Sequence, residues 1–439
     1  MTVNLSEAVR RFRLGSLRRL RIRCAASTRA RATGCFVGVT GSSAKSTTTA
    51  LLAAILETQG RVQKQVLDNT INPLINTVRR GRNADFVVAE LGVGGIGQMA
   101  LMAGLFQPDV AVVTMVGLEH LSAFRSAEAI ALEKGGLVAA TRADGLVVLN
   151  ADDPLVMGMA ARTAARVVTF GTNESATCRI LGTSGGLPLG ITVRLIWRGE
   201  SFEVVTGFVG AHFALPVAAA VLVGLELGLT IADVRMALAT CRPLPLRLSV
   251  HEISGGPVVI ADCAKAPLGS IHLAFDVLRG IEGRRRRIVL GTISDYKSSR
   301  SKTYRTVVQQ ALEVAAEVVV VTDSGGKSWA PAEALASGAL RVFANTEQAA
   351  DHIIRTSIPD EAILLKGSAN MHLERILLRL QGVNVRCWET SCGRTENCFT
   401  CGLYRVDFFA HRDVRRRQSL LRLLGLGKRD GRRSEGLLP

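Results

Sequence analysis

The chain has 439 residues, of which 48% are hydrophobic and 21% are charged, a balance typical of a globular protein with two or three domains. This composition excludes a mostly disordered polymer. No run of about 18 apolar residues is free of charge, so the sequence predicts no membrane-spanning helix.

The net charge of +17 is concentrated at the two ends of the chain. Residues 1–36 carry nine arginines against one glutamate, and residues 384–439 carry twelve lysines and arginines against six acidic residues. The ends therefore supply +8 and +6, and a nearly neutral body with basic ends fits an enzyme whose ends contact something anionic, either a membrane surface or a nucleic acid, of which nucleic acid is not the expected partner. The N-terminal segment is either a basic amphipathic helix that docks on an anionic membrane surface or a protein partner, or a solvated extension.

Short apolar segments typical of strands alternate with helical segments from Cys35 onward. CFVGVT, DFVVAEL and DVAVVTMV predict strands, whereas KSTTTALLAAILETQG and EAIALEKGGLVAAT predict helices. This order indicates a mostly parallel sheet with helical crossovers, continued by GLVVLNADD and RVVTFG. Between about Ala176 and Phe208 the pattern alternates, which predicts an antiparallel hairpin with its turn near Arg198 and Gly199.

A second α/β pattern follows the proline-containing segment CRPLPLRL. The segments PVVIAD, RRIVLGTI, EVVVVTD and AILLKG predict strands, and Thr303 to Ala316 predicts a helix. We therefore predict an α/β fold in four parts: a basic N-terminal extension (1–35), a P-loop central domain with a mostly parallel sheet (36–241), a Rossmann-like C-terminal α/β domain (242–383) and a cysteine-containing basic tail (384–439).

The segment GVTGSSAKSTTT follows a predicted strand and opens a predicted helix, which is where a phosphate-binding loop belongs. In such a loop, backbone N–H groups hold phosphate oxygens, the lysine reaches the terminal phosphates and the next hydroxyl binds magnesium. Position 44 is alanine where these loops usually carry glycine, and its methyl group is expected to crowd the phosphates or strain the backbone. The alternative is a helix start rich in serine and threonine with a chance lysine. The predicted nucleotide contacts are Gly41, Ser42, Ser43, Ala44, Lys45, Ser46 and Thr47.

A series of segments resembles successive motifs of the Mur ligase family. In chain order they are VTGSSAKSTTTALLAAIL, NTINPLINTV, VVAELGVGGIGQM, PDVAVVTMVGLEHLSAFRSAEAIALEKGGLV, LNADD, DCAKAPLGS, VLGTISD and LLKGSANMHLERI. They cover residues 36–380 and are similar to the branch that adds D-alanyl-D-alanine and to the capsule- and polyglutamate-type relatives. The resemblance implies an ATP-dependent, ADP-forming ligase that activates a carboxylate as an acyl phosphate for attack by an amine.

The resemblance implies roles for residues beyond the loop. Glu90 and His120 correspond to ligands of a second magnesium ion, and Lys134 corresponds to a lysine that is often carbamylated and then helps to hold that ion. Ser46 is the expected ligand of the first magnesium ion, and Lys45, Lys134 and His120 are the expected catalytic residues. Magnesium ions and lysine side chains at such a site offset the electrostatic repulsion between the phosphates of ATP and the carboxylate of the substrate. From the residues alone, His120 is also typical of a hydrogen-bonded loop histidine, and Lys134 of a solvated helix residue.

Further nucleotide contacts follow from the same resemblance. Asn69 and Asn72 match asparagines near the substrate and phosphates, and Asp262 matches an aspartate near the ribose and phosphates. Lys265 and Arg247 are expected to contact phosphate from the C-terminal domain. The alternatives for these three C-terminal residues are a loop-capping carboxylate, a solvated lysine and an interdomain salt bridge.

Several features depart from the family pattern. Phe213 and Pro216 stand where the family has asparagines, one of which touches the base, so the nucleotide base is left open; His212 is either a nucleotide contact or a buried structural histidine. Lys366 and Ser368 are expected to face the incoming substrate. About 35 residues precede the loop, which leaves no room for a uridine-nucleotide domain, so the expected substrates include polymer as well as small-molecule carboxylates and amines.

Four cysteines cluster near the end of the chain, and the other five are scattered, which suits a reducing cytoplasm. The four thiols could bind zinc, pair in disulfides or be unrelated. The following segment, HRDVRRRQSLLRLLGLGKR, predicts a basic amphipathic helix that docks on anionic lipid or a partner, so the expected location is the cytoplasm, peripheral to the inner membrane face. The clustered cysteines are Cys387, Cys392, Cys398 and Cys401.

Three functional hypotheses remain at this stage. The first is the ligase. The second is a P-loop ATPase or kinase that transfers phosphate without forming an amide. The third is a non-catalytic scaffold that has lost turnover through Ala44, Phe213 and Pro216 and binds a partner through its basic ends.

Overall fold

The structure is a computed structural model that describes residues 18–118, 123–323, 329–390, 392 and 397–423. The chain divides into two compact units, Met1–Arg242 and Pro243–Pro439. Among the helices in the described ranges, none is long and apolar enough to cross a membrane.

The first unit is built on a sheet of nine strands: β1 (Cys35–Thr40), β2 (Val62–Gln65), β3 (Phe86–Glu90), β4 (Val110–Val113), β5 (Leu146–Asn150), β6 (Arg166–Gly171), β7 (Cys178–Gly186), β8 (Gly190–Trp197) and β9 (Glu200–Val205). Their order is β2-β3-β1-β4-β5-β6-β7-β8-β9. Strands β2 to β7 pair in parallel, and β7, β8 and β9 pair antiparallel. The predicted hairpin is confirmed, and its turn residues Arg198 and Gly199 both have positive φ, as the tight turn between twisted strands requires.

The helices of this unit are α1 (residues 18–29), α2 (Lys45–Leu56), α3 (Ile71–Arg80), α4 (Gln98–Phe106), α5 (Ala127–Ala139), α6 (Pro154–Met157), α7 (Ala214–Glu226) and α8 (Ile231–Ala239). Helix α7 is apolar on nearly every side because it is buried against α2 and the sheet. Helix α2 begins after Ala44, whose side chain cannot cap the first turn, so the N-terminus of the helix follows the predicted phosphate loop directly.

The N-terminal segment is only partly the solvated extension that its charge suggests. Ala25 on α1 is fully buried, and Ile22 packs against the same apolar core. Arg29 is buried as well, where it forms a 2.9 Å ion pair with Asp109 and covers the ring of Phe36. One face of this basic helix therefore belongs to the first unit, because small and aliphatic side chains at helical spacing give it an apolar stripe.

The second unit contains the strands β10 (Ser249–Glu252), β11 (Val258–Asp262), β12 (Arg285–Leu290), β13 (Glu317–Val321), β14 (Leu340–Phe343) and β15 (Glu361–Lys366). They form a sheet in the order β10-β11-β15-β12-β13-β14, parallel except for the pairing of β10 with β11. The helices are α9 (Ile271–Arg279), α10 (Arg300–Leu312), α11 (Ala332–Ser337), α12 (Thr346–Thr356), α13 (Glu374–Leu380), α14 (Cys398–Cys401) and α15 (His411–Leu423). The predicted α/β class is thus confirmed for both units.

The helix expected at residues 303–316 is wrong at both ends. It begins at Arg300, because the Ser299 hydroxyl accepts a hydrogen bond from the backbone N–H of Lys302 at 3.3 Å and so caps the first turn. It ends at Leu312.

The described part of the cysteine-containing tail packs on the second unit. Val385 and Cys398 are buried together with Leu378 of α13. The backbone N–H groups of Arg386 and Cys387 both donate to the carbonyl of Tyr404, which ties the two halves of the tail together. The tail is therefore a small folded extension of this unit in its described residues.

Candidate functional site

The loop between β1 and α2 comes close to the loop that follows β4. The backbone N–H of Ser42 donates to the carbonyl of Met115 at 2.8 Å, and the Thr114 hydroxyl donates to the carbonyl of Ser43 at 2.6 Å. Gly41 has φ 146°, and a Cβ atom there would lie 1.9 Å from the Thr114 hydroxyl. Only glycine therefore fits position 41, and the loop is held in one conformation before any ligand arrives.

Ala44, the residue that departs from the usual loop pattern, adopts the left-handed conformation. Its φ of 64° and ψ of -7° are values that cost a residue with a Cβ atom roughly 1–2 kcal/mol. Glycine would adopt them without that cost. Of the two effects expected from this alanine, backbone strain is the one that the structure displays.

Ser46 and Glu90 form the centre of the site. Glu90 is the last residue of β3, the strand next to β1, and it lies opposite Val39 of β1. The Ser46 hydroxyl donates to Oε2 of Glu90 at 2.7 Å, and both side chains are buried. A hydroxyl and a carboxylate oxygen are the hard donors that magnesium prefers, so the residues fit the ion that the sequence predicts.

The segment after β2 surrounds the Glu90 carboxylate. The side-chain amide of Asn69 donates to Oε1 at 3.3 Å, and the backbone N–H of Leu67 donates to Oε2 at 3.3 Å. Asn72 is exposed in the first turn of α3. The structure thus brings Asn69 to the predicted acid, whereas Asn72 lies on the surface close by in sequence.

Two lysines meet at the carbonyl of Gly41. The Lys45 ammonium donates to that carbonyl and to the carbonyl of Ser42, and the Lys134 ammonium on α5 donates to Gly41 at 3.0 Å. Lys134 is fully buried and Lys45 nearly so. Buried ammonium groups need anionic or polar partners, which makes this a prepared position for an anion. His120, the third predicted catalytic residue, lies outside the described residues.

In the second unit, the buried Lys366 forms an ion pair with the half-buried Asp262. They lie opposite each other at the carboxyl ends of the neighbouring strands β11 and β15, with Lys366 Nζ 2.7 Å from Asp262 Oδ2. Lys366 also donates to the carbonyl of Lys265 at 2.9 Å, while the Lys265 side chain itself is exposed. Arg247 is half-buried, and its Nε atom has no hydrogen-bond partner among the described residues. The pairing of Asp262 with Lys366, separated by 104 residues, could not be read from sequence.

The two departures from the family helix are apolar core residues. Phe213 and Pro216 are buried, and the Phe213 ring lies 4.5 Å from the rings of Phe208 and His212. Where the family pattern has asparagines, this segment therefore contributes to an aromatic cluster.

The sheet and this site define a class of protein. A parallel α/β sheet, a phosphate loop after its first strand and a buried acid at the end of the neighbouring strand are the features of P-loop nucleotide-binding enzymes. The sequence matches the model of the Mur ligase middle domain over residues 39–224 and that of the Mur ligase glutamate ligase domain over residues 246–369. The chain belongs to the Mur ligase family.

Curated relatives and solved structures agree with this assignment. UDP-N-acetylmuramoyl-tripeptide--D-alanyl-D-alanine ligase of Mycobacterium tuberculosis is 29% identical over 360 residues, which is 76% of this chain and 70% of that protein. The enzyme of the same name from Mycobacterium leprae is 32% identical over 56% of this chain and 50% of its own length. The MurF ligase of Thermotoga maritima in complex with ADP has a TM-score of 0.73 at 21% identity and 83% coverage of both chains.

The family fixes the general reaction. The chain is an ATP-dependent, ADP-forming ligase that makes a C–N bond between a carboxylate and an amine, using ATP with magnesium. Of the three hypotheses drawn from the sequence, the ligase is confirmed.

Proposed function

We propose that this chain joins a peptide-bearing carboxylate to the amino group of D-alanyl-D-alanine or a closely similar dipeptide in the cytoplasm. The buried cluster of Lys45, Lys134, Ser46 and Glu90 beside one phosphate loop carries the proposal. The relatives that carry this activity in their names share 22–32% of their residues with the chain, which supports the choice of amine.

Each residue of the cluster has a role in phosphate transfer. The N–H groups of the first turn of α2 and the Lys45 ammonium hold the terminal phosphates, because both lie at the start of the helix. Ser46 would hold the first magnesium ion and Glu90 the second, and these ions would neutralise charge between the phosphates and the carboxylate. Asn69 keeps Glu90 oriented through its amide hydrogen bond.

The reaction balances without a further reactant. A carboxylate oxygen of the substrate bonds to the γ-phosphorus of ATP, and the bond to the bridging oxygen breaks as ADP leaves. The amine nitrogen then bonds to the acyl carbon, the amine loses one proton, and phosphate leaves with one oxygen of the original carboxylate. The enzyme contributes positioning and fixed positive charge.

Lys134 has a role that depends on its complete burial. Carbamylation of its amine would turn a buried cation at Gly41 into an anion able to hold a second magnesium ion together with Glu90 and His120. This proposal rests on the family resemblance and on the position of the Lys134 ammonium, 3.0 Å from the loop carbonyl.

The second unit contributes further nucleotide contacts in this proposal. Asp262 ends β11, Lys265 follows it, and Lys366 lies beside Asp262 at the end of β15. Ligands of open parallel sheets bind outside the carboxyl ends of the strands, which favours this edge. Arg247, whose Nε atom is buried and unsatisfied among the described residues, is a candidate for a phosphate contact.

We also propose that the basic ends hold the enzyme at an anionic membrane surface. Arg18, Arg19 and Arg23 are exposed on α1, and Arg416 and Arg417 are exposed on α15. Flotation with vesicles containing anionic lipid should carry the protein upward at low salt only. The proposal would be contradicted if the protein bound neutral vesicles, or if it did not bind anionic ones.

The ligase proposal is tested by measuring ADP release with ATP and magnesium over a panel of carboxylates and amines. The panel includes UDP-N-acetylmuramoyl-tripeptide with D-alanyl-D-alanine, and each partner alone. We expect release to require both partners, and ¹⁸O placed in the carboxylate to appear in the released phosphate. ADP release that ignores the amine, or phosphate without ¹⁸O, would contradict the proposal.

Variants separate the proposed residues from general damage. Lys45→Ala and Lys134→Ala are expected to reduce ADP release by on the order of 100-fold or more, as loss of a charged transition-state contact does. Lys64→Ala is the matched control, because Lys64 is exposed and pairs with Glu57 on the surface. Thermal unfolding of each variant shows whether the fold is retained.

A further inference from the structure

Four cysteines of the tail line one cavity of about 610 Å³ on the second unit, together with His372 and Arg375 from the start of α13. Cys398 and Cys401 lie at the two ends of the single turn α14, and Cys387 and Cys392 precede that turn. The side chains come from the segment before α13, from α13 itself and from the tail that follows it. The fold brings these side chains together, since His372 lies more than a dozen residues before Cys387 in the sequence.

A nitrogen of a basic side chain lies within hydrogen-bonding distance of each of the four sulfurs. The Arg375 guanidinium donates to Cys398 at 3.2 Å and to Cys387 at 3.7 Å. His372 Nε2 lies 3.3 Å from Cys392, and the Arg415 guanidinium donates to Cys401 at 3.7 Å. Such donors stabilise thiolates, and metal-bound thiolates commonly accept hydrogen bonds of this kind.

The base of the cavity holds charged side chains that are almost completely excluded from solvent. Arg375, Glu374 and His372 are 1%, 0% and 2% exposed. Within the described residues, Arg375 Nη1 and Glu374 Oε2 have no hydrogen-bond partner. His372 has a φ of 50°, a strained value that aims its ring between Cys392 and Cys398. Hydrogen bonds to neutral thiols alone would not offset the free-energy cost of burying these charged groups.

We propose that Cys387, Cys392, Cys398 and Cys401 bind one zinc ion as thiolates, with His372, Arg375 and Arg415 as the surrounding hydrogen-bond donors. Zinc favours four ligands and accepts four thiolates in structural sites. The resulting group carries a charge of −2, and the guanidinium groups of Arg375 and Arg415 offset it. This role extends the ligase proposal but does not depend on it.

The alternative to exclude is the donor set of the described residues whose ligand atoms already lie within 4.8 Å of one another, which is His372, Glu374 and Cys398. No three of the four cysteine sulfurs meet that distance here, so zinc binding would draw them together. Glu374 is already engaged, because its Oε1 accepts the backbone N–H of Cys398 at 2.9 Å and lies 3.3 Å from His372 Nδ1. That carboxylate orients the histidine and anchors the start of α14, which leaves the sulfurs as the metal donors.

The zinc site would fix the tail to the segment that carries substrate-facing residues. His372 follows the turn Ala369–Met371, and Ser368 precedes that turn directly after β15. Because the metal-bound thiolates would accept hydrogen bonds from His372 before α13 and Arg375 within it, the site would limit the motion of this turn. Metal loss is therefore expected to loosen the tail before the rest of the second unit unfolds.

The experiment measures metal in the full-length protein purified without chelators. We expect about one zinc ion per chain, released by a mercurial reagent that titrates thiolates. Limited proteolysis after zinc release should cut within residues 384–417, while the untreated protein resists. A protein without zinc, or one that contains iron and acid-labile sulfide, would overturn the proposal, and neither measurement involves ATP or ligase substrates.

Variants assign the ligands. Cys398→Ser with Cys401→Ser should abolish zinc binding, whereas Cys24→Ser, an exposed cysteine far from the tail in sequence, should retain it. His372→Gln should keep the zinc and lose it more readily to a chelator. Zinc retained by the double cysteine variant, or lost in Glu374→Gln but not in Cys387→Ser, would overturn the four-thiolate assignment.

Discussion

Ser46 Oγ and Glu90 Oε2 lie 2.7 Å apart although 44 residues separate them along the chain. One belongs to the first turn after the phosphate loop, and the other ends the neighbouring parallel strand. The parallel pairing of β1 with β3 creates this contact, because the carboxyl ends of both strands reach the same edge of the sheet. The hydroxyl and the acid of the site are thus positioned by sheet topology.

Loss of either oxygen donor should remove magnesium-dependent turnover. Glu90→Gln keeps the size of the side chain and its contact with Ser46 but loses the charge, so we expect ADP release to fall by on the order of 100-fold or more. ADP release should fall less in Ser46→Ala, because water can replace a neutral hydroxyl as a magnesium ligand. Magnesium titrations of ADP release check both. An unchanged rate in Glu90→Gln would exclude this acid from the site.

Ala44→Gly should stabilise the protein and strengthen nucleotide binding. Removing the strain of the left-handed alanine stabilises the folded state, and the greater chain entropy of glycine stabilises the unfolded state. We expect the first effect to exceed the second by about 0.5 kcal/mol. Chemical denaturation and calorimetric titration with ADP measure the two effects. Gly41→Ala is the opposite control, since its Cβ would lie 1.9 Å from the Thr114 hydroxyl and should abolish binding. A lower stability in Ala44→Gly would contradict the strain argument.

The second unit depends on a buried ion cluster. Arg287 is fully buried and lies 3.1 Å from both Glu317 and Glu361. Burial raises the pKa of Glu361, although the positive charge of Arg287 acts to lower it. Arg287→Met should lower the free energy of unfolding by up to about 3–5 kcal/mol, because the buried Glu361 loses its nearer cation and keeps Arg285 at 3.5 Å.

A double variant tests whether this cost comes from the orphaned charge. Arg287→Met with Glu361→Gln should be more stable than Arg287→Met alone, as measured by urea denaturation at neutral pH. Equal losses in the single and double variants would mean that packing, and not charge, sets the cost.

His251 should make the protein sensitive to mild acid. Burial lowers its pKa to about 4, against 6.5 for an exposed histidine, and its ring bonds to Ser249 at 2.9 Å. Above pH 6.5 both folded and unfolded states carry the neutral ring, so stability is complete there. Below it the unfolded state takes the proton first, and the free energy of unfolding should fall by about 2 to 3 kcal/mol between pH 6.5 and 4.

Denaturation curves across this pH range check the assignment. His251→Gln should flatten the pH dependence in that window, while His272→Gln, at an exposed position on α9, should leave it unchanged. A steep loss of stability that persists in His251→Gln would place the responsible group elsewhere.

Local pattern was sufficient for the phosphate loop and for several strands. CFVGVT and RVVTFG coincide with β1 and β6, because an apolar run between turn residues has few other structures available. The loop follows because its serines, lysine and glycine are contiguous. In contrast, β2 and β14 are short and partly polar, and no periodicity marked them beforehand.

The sequence by itself determined the family, the α/β class and the contiguous phosphate loop, because these depend on residues that are close in the chain. Only the tertiary structure decided which distant groups meet: Lys366 with Asp262, Arg29 with Asp109, and His372 with the tail cysteines. Periodicity reports which side of an element is buried. Which buried or charged side chain finds which partner is decided by strand order and by the need to pair each charge removed from water.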